Sequence, residues 1–148
     1  LGDVYKRQLL VGWTGSPVKT DSQLKKAGGA DRDFVREVSS ISEKLWQALA
    51  DGDHTAAFAC LRENRTLLQD YERERAVCIE TEKLKALADI ADGAGSAGKS
   101  SGSGGGDCGI ALVGVSKDAD AEETAADITA RWQAAGIQPL PLKLAAQL

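Results

Sequence analysis

Positions 93 to 109 read GAGSAGKSSGSGGGDCG, with Lys99, Ser100, Ser101, Ser103 and Asp107 set among glycines. Residues of these types at this density suit the close binding of an anion such as a phosphate. Glycines permit positive φ and remove the Cβ atoms that would keep a backbone away from a ligand, and successive amides form a nest for phosphate oxygens. On this reading Gly102, Gly104, Gly105 and Gly106 supply the nest, Lys99 a compact positive charge, and Ser101 and Ser103 hydroxyl donors. Asp107 is discordant, because a carboxylate beside phosphates is repelled unless it takes a cation or a hydroxyl. Its presence points to a ligand that carries one of these as well as a phosphate.

Two other readings compete. The first eight residues, Gly93 to Ser100, satisfy the phosphate-loop pattern G-x-x-x-x-G-K-[ST]. In such a loop the lysine and hydroxyl residue open a helix whose amino-terminal amides bind the anion. Here SGSGGG follows, with about the worst helix propensity available, and the order of elements is inverted, helix before and strand after. The pattern is therefore accidental. A flexible Gly/Ser linker is the other reading, and composition alone permits it. Against it stand the polar residues inside the glycines and the abrupt junction with an apolar strand.

The elements that must position this loop are legible from periodicity. QLLVGW, from Gln8, is a short apolar run ending in the turn-rich TGSPVKTDS and suits a buried strand. Phe34, Val38, Ile41, Leu45 and Leu49 then recur at helical spacing, with Asp33 placed as the cap and DGD as the stop. A second helix starts near Asp53 or His54 and turns Phe58, Leu61, Leu68 and Tyr71 inward. A third starts near Thr81 with Leu84, Leu87 and Ala91 on one side. Past the glycines, GIALVGV reads as a central strand. Asp120 and Glu123 resemble a capping box before the stripe Ala125, Ile128, Trp132 and Ala135, and Gly136 ends that helix. Leu140, Leu142 and Leu144 alternate in a last strand that Pro139 and Pro141 confine to a sheet edge. The order strand, helices, strand, helix, strand predicts an α+β sandwich, an antiparallel sheet with helices on one face.

At 148 residues one domain with a real core is expected. The net charge of −4, with both signs scattered, disfavours a nucleic acid or an anionic membrane as partner. Cys60, Cys78 and Cys108 have neither metal nor disulfide spacing and read as reduced thiols of a cytoplasmic protein. No apolar run approaches the ~20 residues of a membrane helix. LGDVYKRQ at positions 1–8 resembles a translated sequencing adapter, which would make 9–148 the native domain.

KSSGSGGGDCGIAL closely resembles the conserved glycine motif of the GHMP kinases, in the form seen in phosphomevalonate kinases, and LLVGWTGSPVKT is similar to the strand and loop that open their carboxy-terminal domain. With the RWQAAGI segment the resemblance covers about positions 8 to 144. It implies a ferredoxin-like sandwich and a kinase that passes the γ-phosphoryl of Mg-ATP to 5-phosphomevalonate, giving 5-diphosphomevalonate. It also implies that Lys99, Ser100, Ser101, Gly102, Ser103, Gly104, Gly105 and Gly106 line the cleft where substrate phosphate meets the γ-phosphate. Asp107 would end that loop, and the Thr20 hydroxyl would face the phosphomevalonate. Ser103 and Gly98 stand where alanine is usual, and Lys19 where a small residue is common. The family's ATP loop, catalytic lysine and aspartate belong to an amino-terminal domain with no counterpart in these residues. The alternatives are another GHMP kinase, of mevalonate or sugar, and a non-catalytic phosphometabolite-binding module.

Other conspicuous residues read as ordinary. His54 suits a surface or capping role, Trp13, Trp46 and Trp132 the core, and Cys108 a buried small hydrophobe. ENRTLLQDYERER reads as a solvated helix face, with an arginine reaching substrate phosphate as the alternative. Within the loop the glycines should outweigh Ser101 and Ser103, and Gly105→Val should remove activity with little loss of stability.

Overall fold

The computed structural model describes residues 8–29, 31–114 and 120–142. All but the last residue of the adapter-like segment lies outside them, as does Leu144 of the last strand. β1 (Gln8–Trp13) is followed by four helices, α1 (Thr20–Ala27), α2 (Arg32–Asp51), α3 (His54–Arg75) and α4 (Glu82–Gly93). The hairpin β2 (Ala97–Ser100) and β3 (Cys108–Val113) comes next, then α5 (Ala121–Ala134) and β4 (Gln138–Leu140). The sheet has the order β2-β3-β1-β4 with every neighbouring pair antiparallel. β1 and β3 pair along their whole length, from Gln8 opposite Val113 to Trp13 opposite Cys108.

α4 and α5 cover one face of this sheet. Leu87, Ala91, Ile128, Trp132 and Ile137 pack there against Ala111 and Val113. The helices come close because Gly12 and Gly109 face each other across β1 and β3. A Cβ on Gly109 would stand 2.7 Å from the Leu87 methyls, and one on Gly12 2.9 Å from Leu87 and 3.0 Å from the Trp132 ring. Trp132 is fully buried, and its indole N–H donates to the Leu87 carbonyl at 3.1 Å, tying α5 to α4. α3 runs along the edge strand β2, and α2 packs on α3 through Ile41 and Ala48. This is the α+β sandwich the patterning predicts.

Two elements escape the sequence reading. AGKS contains no β-branched or aromatic residue, and β2 exists because β3 offers it a partner and α4 covers it. α1, TDSQLKKA, has Leu24 as its one large apolar residue, so no amphipathic stripe betrays it; Gly28 at φ 70° ends it.

Several details also differ from expectation. Asp31, not Asp33, caps α2, its carboxylate accepting the Phe34 N–H at 2.7 Å. α3 starts at His54, as expected, with Asp53 as its cap, so His54 itself caps nothing. The Asp120 carboxylate accepts from Glu122 N–H at 3.1 Å rather than from the residue after it. Trp46 is 76% exposed and belongs to no core, while Trp13 is half-buried. The charged stretch of α3 is not a solvated face throughout, since the Arg65 side chain is only 11% exposed. Of the thiols only Cys60 is buried; Cys108 is half-buried, and burial followed by the Asp107 charge pushes its pKa up, which disfavours the thiolate. No helix among the described residues is long and apolar enough to cross a membrane.

Candidate functional site

The glycine stretch is the connection between β2 and β3, and it is held on both sides by protein. Gly105 N–H donates to the Ile79 carbonyl at 2.7 Å, Asp107 N–H to the Ser16 carbonyl at 2.7 Å and Ser101 N–H to the Cys108 carbonyl at 3.0 Å. The buried Thr14 returns two bonds, from its N–H and its Oγ1, both at 2.8 Å to the Asp107 carbonyl. The loop is thus moored between the turn that follows β1 and the turn between α3 and α4. Gln23 of α1 joins the same mooring, its side-chain amide donating to the Cys78 carbonyl at 2.7 Å.

This explains the glycines differently from the sequence reading. Gly104 has φ 71°, and a Cβ there would lie 2.5 Å from the Ile79 carbonyl oxygen and 2.8 Å from Ile79 Cα. A Cβ on Gly106 would meet the Ser16 carbonyl at 2.7 Å. The close approach that demands glycine is to the protein's own backbone. Asp107 shares the left-handed region at φ 60°, which aspartate tolerates better than most residues, and its side chain is exposed. Among the described residues the amides of Gly102, Ser103, Gly104 and Gly106 meet no backbone acceptor.

Beside the loop, at the amino end of α4, a cavity of about 310 Å³ is lined by Thr14, Ser16, Thr81, Glu82, Lys83, Gly105 and Gly106, so that an acid and a base stand side by side in its wall. Lys83 Nζ donates to the carbonyls of Thr14 and Gly136, each at 3.1 Å, which leaves a third donor on the ammonium. On the other side of the loop a recess of about 260 Å³ reaches Gly102 and Ser103 and has mainly apolar walls, among them Leu24, Phe34, Tyr71 and Ile79.

The sequence-derived site residues do not all sit in one place. Ser101, Gly102, Ser103, Gly104, Gly105, Gly106 and Asp107 form the loop. Lys99 and Ser100 belong to β2 instead, where Ser100 is buried and Lys99 Nζ donates to the Ser100 carbonyl at 2.8 Å. Burial holds the Lys99 ammonium below its ordinary pKa. Thr20 opens α1, exposed, within one turn of Gln23. Thr14, Gln23, Ile79 and Lys83 were missed, because their contacts with the loop and its flanks join residues far apart in the chain and leave no local pattern. No group of three or more His, Cys, Asp or Glu side chains able to hold a metal stands among the described residues.

A model of the family described as "GHMP kinases C terminal" matches residues 45–138. The phosphomevalonate kinase of Streptomyces sp. (strain CL190) is 38% identical over 141 residues, which is 90% of this chain and 37% of that protein. The crystal structure of a Lin0012 protein from Listeria innocua superposes with a TM-score of 0.80 at 37% identity, over 90% of this chain and 38% of that one. Streptococcus pneumoniae phosphomevalonate kinase, in complex with phosphomevalonate and AMPPNP, superposes with a TM-score of 0.79 at 27% identity, over 91% of this chain and 38% of that one. The chain therefore spans less than two fifths of the length of these relatives. By fold, by glycine loop and by likeness over nine tenths of its length, the chain belongs to the GHMP kinases and corresponds to their carboxy-terminal part.

Proposed function

We propose that this chain is the carboxy-terminal domain of an ATP-dependent phosphomevalonate kinase and forms the substrate-phosphate side of its cleft. The observation that carries the reading is the glycine loop moored to Ile79 and Ser16, with four amides that meet no backbone acceptor among the described residues; Gly106 borders the cavity that holds Lys83, and Gly102 and Ser103 border the recess on the other side. Likeness to kinases of phosphomevalonate supports the substrate. In the reaction an oxygen of the 5-phosphate attacks the γ-phosphorus of ATP. The bond from that phosphorus to the β,γ-bridging oxygen breaks, and ADP leaves with the electron pair. Both reactants are anionic, so the protein's task is to hold them in line and offset their charge rather than to form covalent bonds.

In this scheme the amides of Gly102, Ser103, Gly104 and Gly106 and the hydroxyls of Ser101 and Ser103 take phosphate oxygens. Because the loop is fixed by its neighbours, little reorganisation is needed as charge develops. The third Lys83 donor offers a phosphate oxygen a charged hydrogen bond, with the Glu82 carboxylate beside it offsetting part of the charge, and Asp107 accepts a hydrogen bond from a hydroxyl of the substrate. Thr20, exposed at the start of α1, borders neither recess. Lys99, in β2, acts behind the loop rather than in it. A divalent cation accompanies ATP in such transfers, but the described residues offer it no cluster of donors, so no step of this scheme runs through it.

The transition state requires both reactants to be enclosed in one geometry, and effective molarities of ~10⁵–10⁸ M depend on that enclosure. The 148-residue chain alone should therefore transfer no label from γ-labelled ATP to 5-phosphomevalonate in the presence of magnesium. Transfer above a protein-free control would show that the rest of the relatives' length is dispensable, contrary to this reading.

A further inference from the structure

Arg65 faces three carboxylates from the inner side of α3. Its Nε and Nη2 grip Glu80 at 2.6 and 3.2 Å, Nη2 also reaches Asp89 at 2.8 Å, and Nη1 reaches Asp92 at 2.9 Å. Glu80 is held further by α3, because Gln69 donates to its carboxylate at 2.8 Å and its own N–H donates to the Glu72 carboxylate at 2.9 Å. The residue before it, Ile79, carries the carbonyl that receives Gly105 N–H and the backbone that Gly104 touches. One residue earlier, Cys78 carries the carbonyl that receives Gln23. The turn between α3 and α4 is thus pinned at Glu80 and presents its two preceding carbonyls to the glycine loop and to α1.

A largely buried arginine among three acids contributes little net stability, since the cost of desolvating the charges offsets most of their attraction. What such a cluster does supply is fixed geometry, because the planar guanidinium has donors in set directions. We propose that Arg65 is a positioning residue for the glycine loop: by clamping Glu80 it fixes the Cys78 and Ile79 carbonyls to which Gln23 and Gly105 are moored. The mooring stands on the contacts alone; its consequence for turnover rests on the function proposed above.

Arg65→Lys keeps a positive charge in the cluster but lacks the fork that spans Glu80 and Asp92 together. Hydrogen exchange on the 148-residue chain reads the effect at the Gly105 amide. Its exchange should rise at least ~10-fold in Arg65→Lys, while the Ile128 and Trp132 amides of the core keep their wild-type rates, as expected of a local opening. If Arg65→Lys fails to fold, Glu80→Gln, which keeps the shape and drops the charge, is read in the same way. Gly105 exchange that is unchanged, or that rises only in step with Ile128, overturns the proposal. In the full-length kinase the same variants should lower kcat with the KM for ATP unchanged. A loosened Gly105 with undiminished kcat would confirm the mooring and count against the catalytic role of the loop.

Discussion

With Gly104 replaced by alanine, the full-length kinase should lose about 100-fold or more in kcat, the penalty expected when reacting groups shift by about an ångström. The reason is steric and specific. At φ 71° a Cβ is disfavoured by itself, and here it would also stand 2.5 Å from the Ile79 carbonyl oxygen, a backbone atom that cannot rotate away. Together the left-handed conformation and the overpacking should destabilise the domain by about 2–4 kcal/mol. The loop must therefore leave its mooring or the turn between α3 and α4 must move, and either displaces the amides of Gly102 and Ser103. Steady-state kinetics and urea denaturation check the two parts separately. Wild-type kcat would mean that the observed loop conformation is not the one used in turnover. The same contacts revise the sequence-based view of Gly105→Val: at φ 81°, with the Gln23 amide in the way, that substitution should lower stability as well as activity.

The largest loss of stability should come from Trp132→Ala. Trp132 is 0% exposed, packs with Leu87, Ile128 and Ile137 over the sheet, and bonds the Leu87 carbonyl. Truncating such a residue costs about 3–5 kcal/mol through lost transfer energy and the cavity left behind. Domains have only about 5–15 kcal/mol in hand, so the variant should lose a large share of its stability, read as a much lower urea midpoint by circular dichroism. Trp132→Phe, which keeps most of the volume, should lose much less. A Trp132→Ala variant within about 1 kcal/mol of wild type would contradict a single core shared by α4, α5 and the sheet.

Most of the scaffold was legible because it is written in local patterns. The stripes of α2 to α5, the apolar runs of β1 and β3, and the edge position of Pro139 all follow from periodicity or backbone chemistry. β2 was not, since Ala97 to Ser100 form a strand only through β3 and the helices around them, and α1 was not, since it buries so little. In the site, residue types pointed to the loop but not to what the glycines accommodate. Gly104 is required by Ile79, 25 positions earlier in the chain, and no single-sequence pattern records such a contact. Arg65 was hidden for the same reason: a charged residue in a charged helix looks solvated until Glu80, Asp89 and Asp92 are folded around it.

The central claim is that this chain forms the substrate-phosphate side of a phosphomevalonate kinase. It is tested most directly by a chimera in which the chain replaces the matching segment of the Streptomyces enzyme, with which it shares 38% identity. The folded chimera should convert 5-phosphomevalonate and ATP into 5-diphosphomevalonate and ADP in equal amounts, followed by ³¹P NMR, and should leave mevalonate untouched. A folded chimera that leaves 5-phosphomevalonate unchanged, or that phosphorylates mevalonate in its place, would contradict the account.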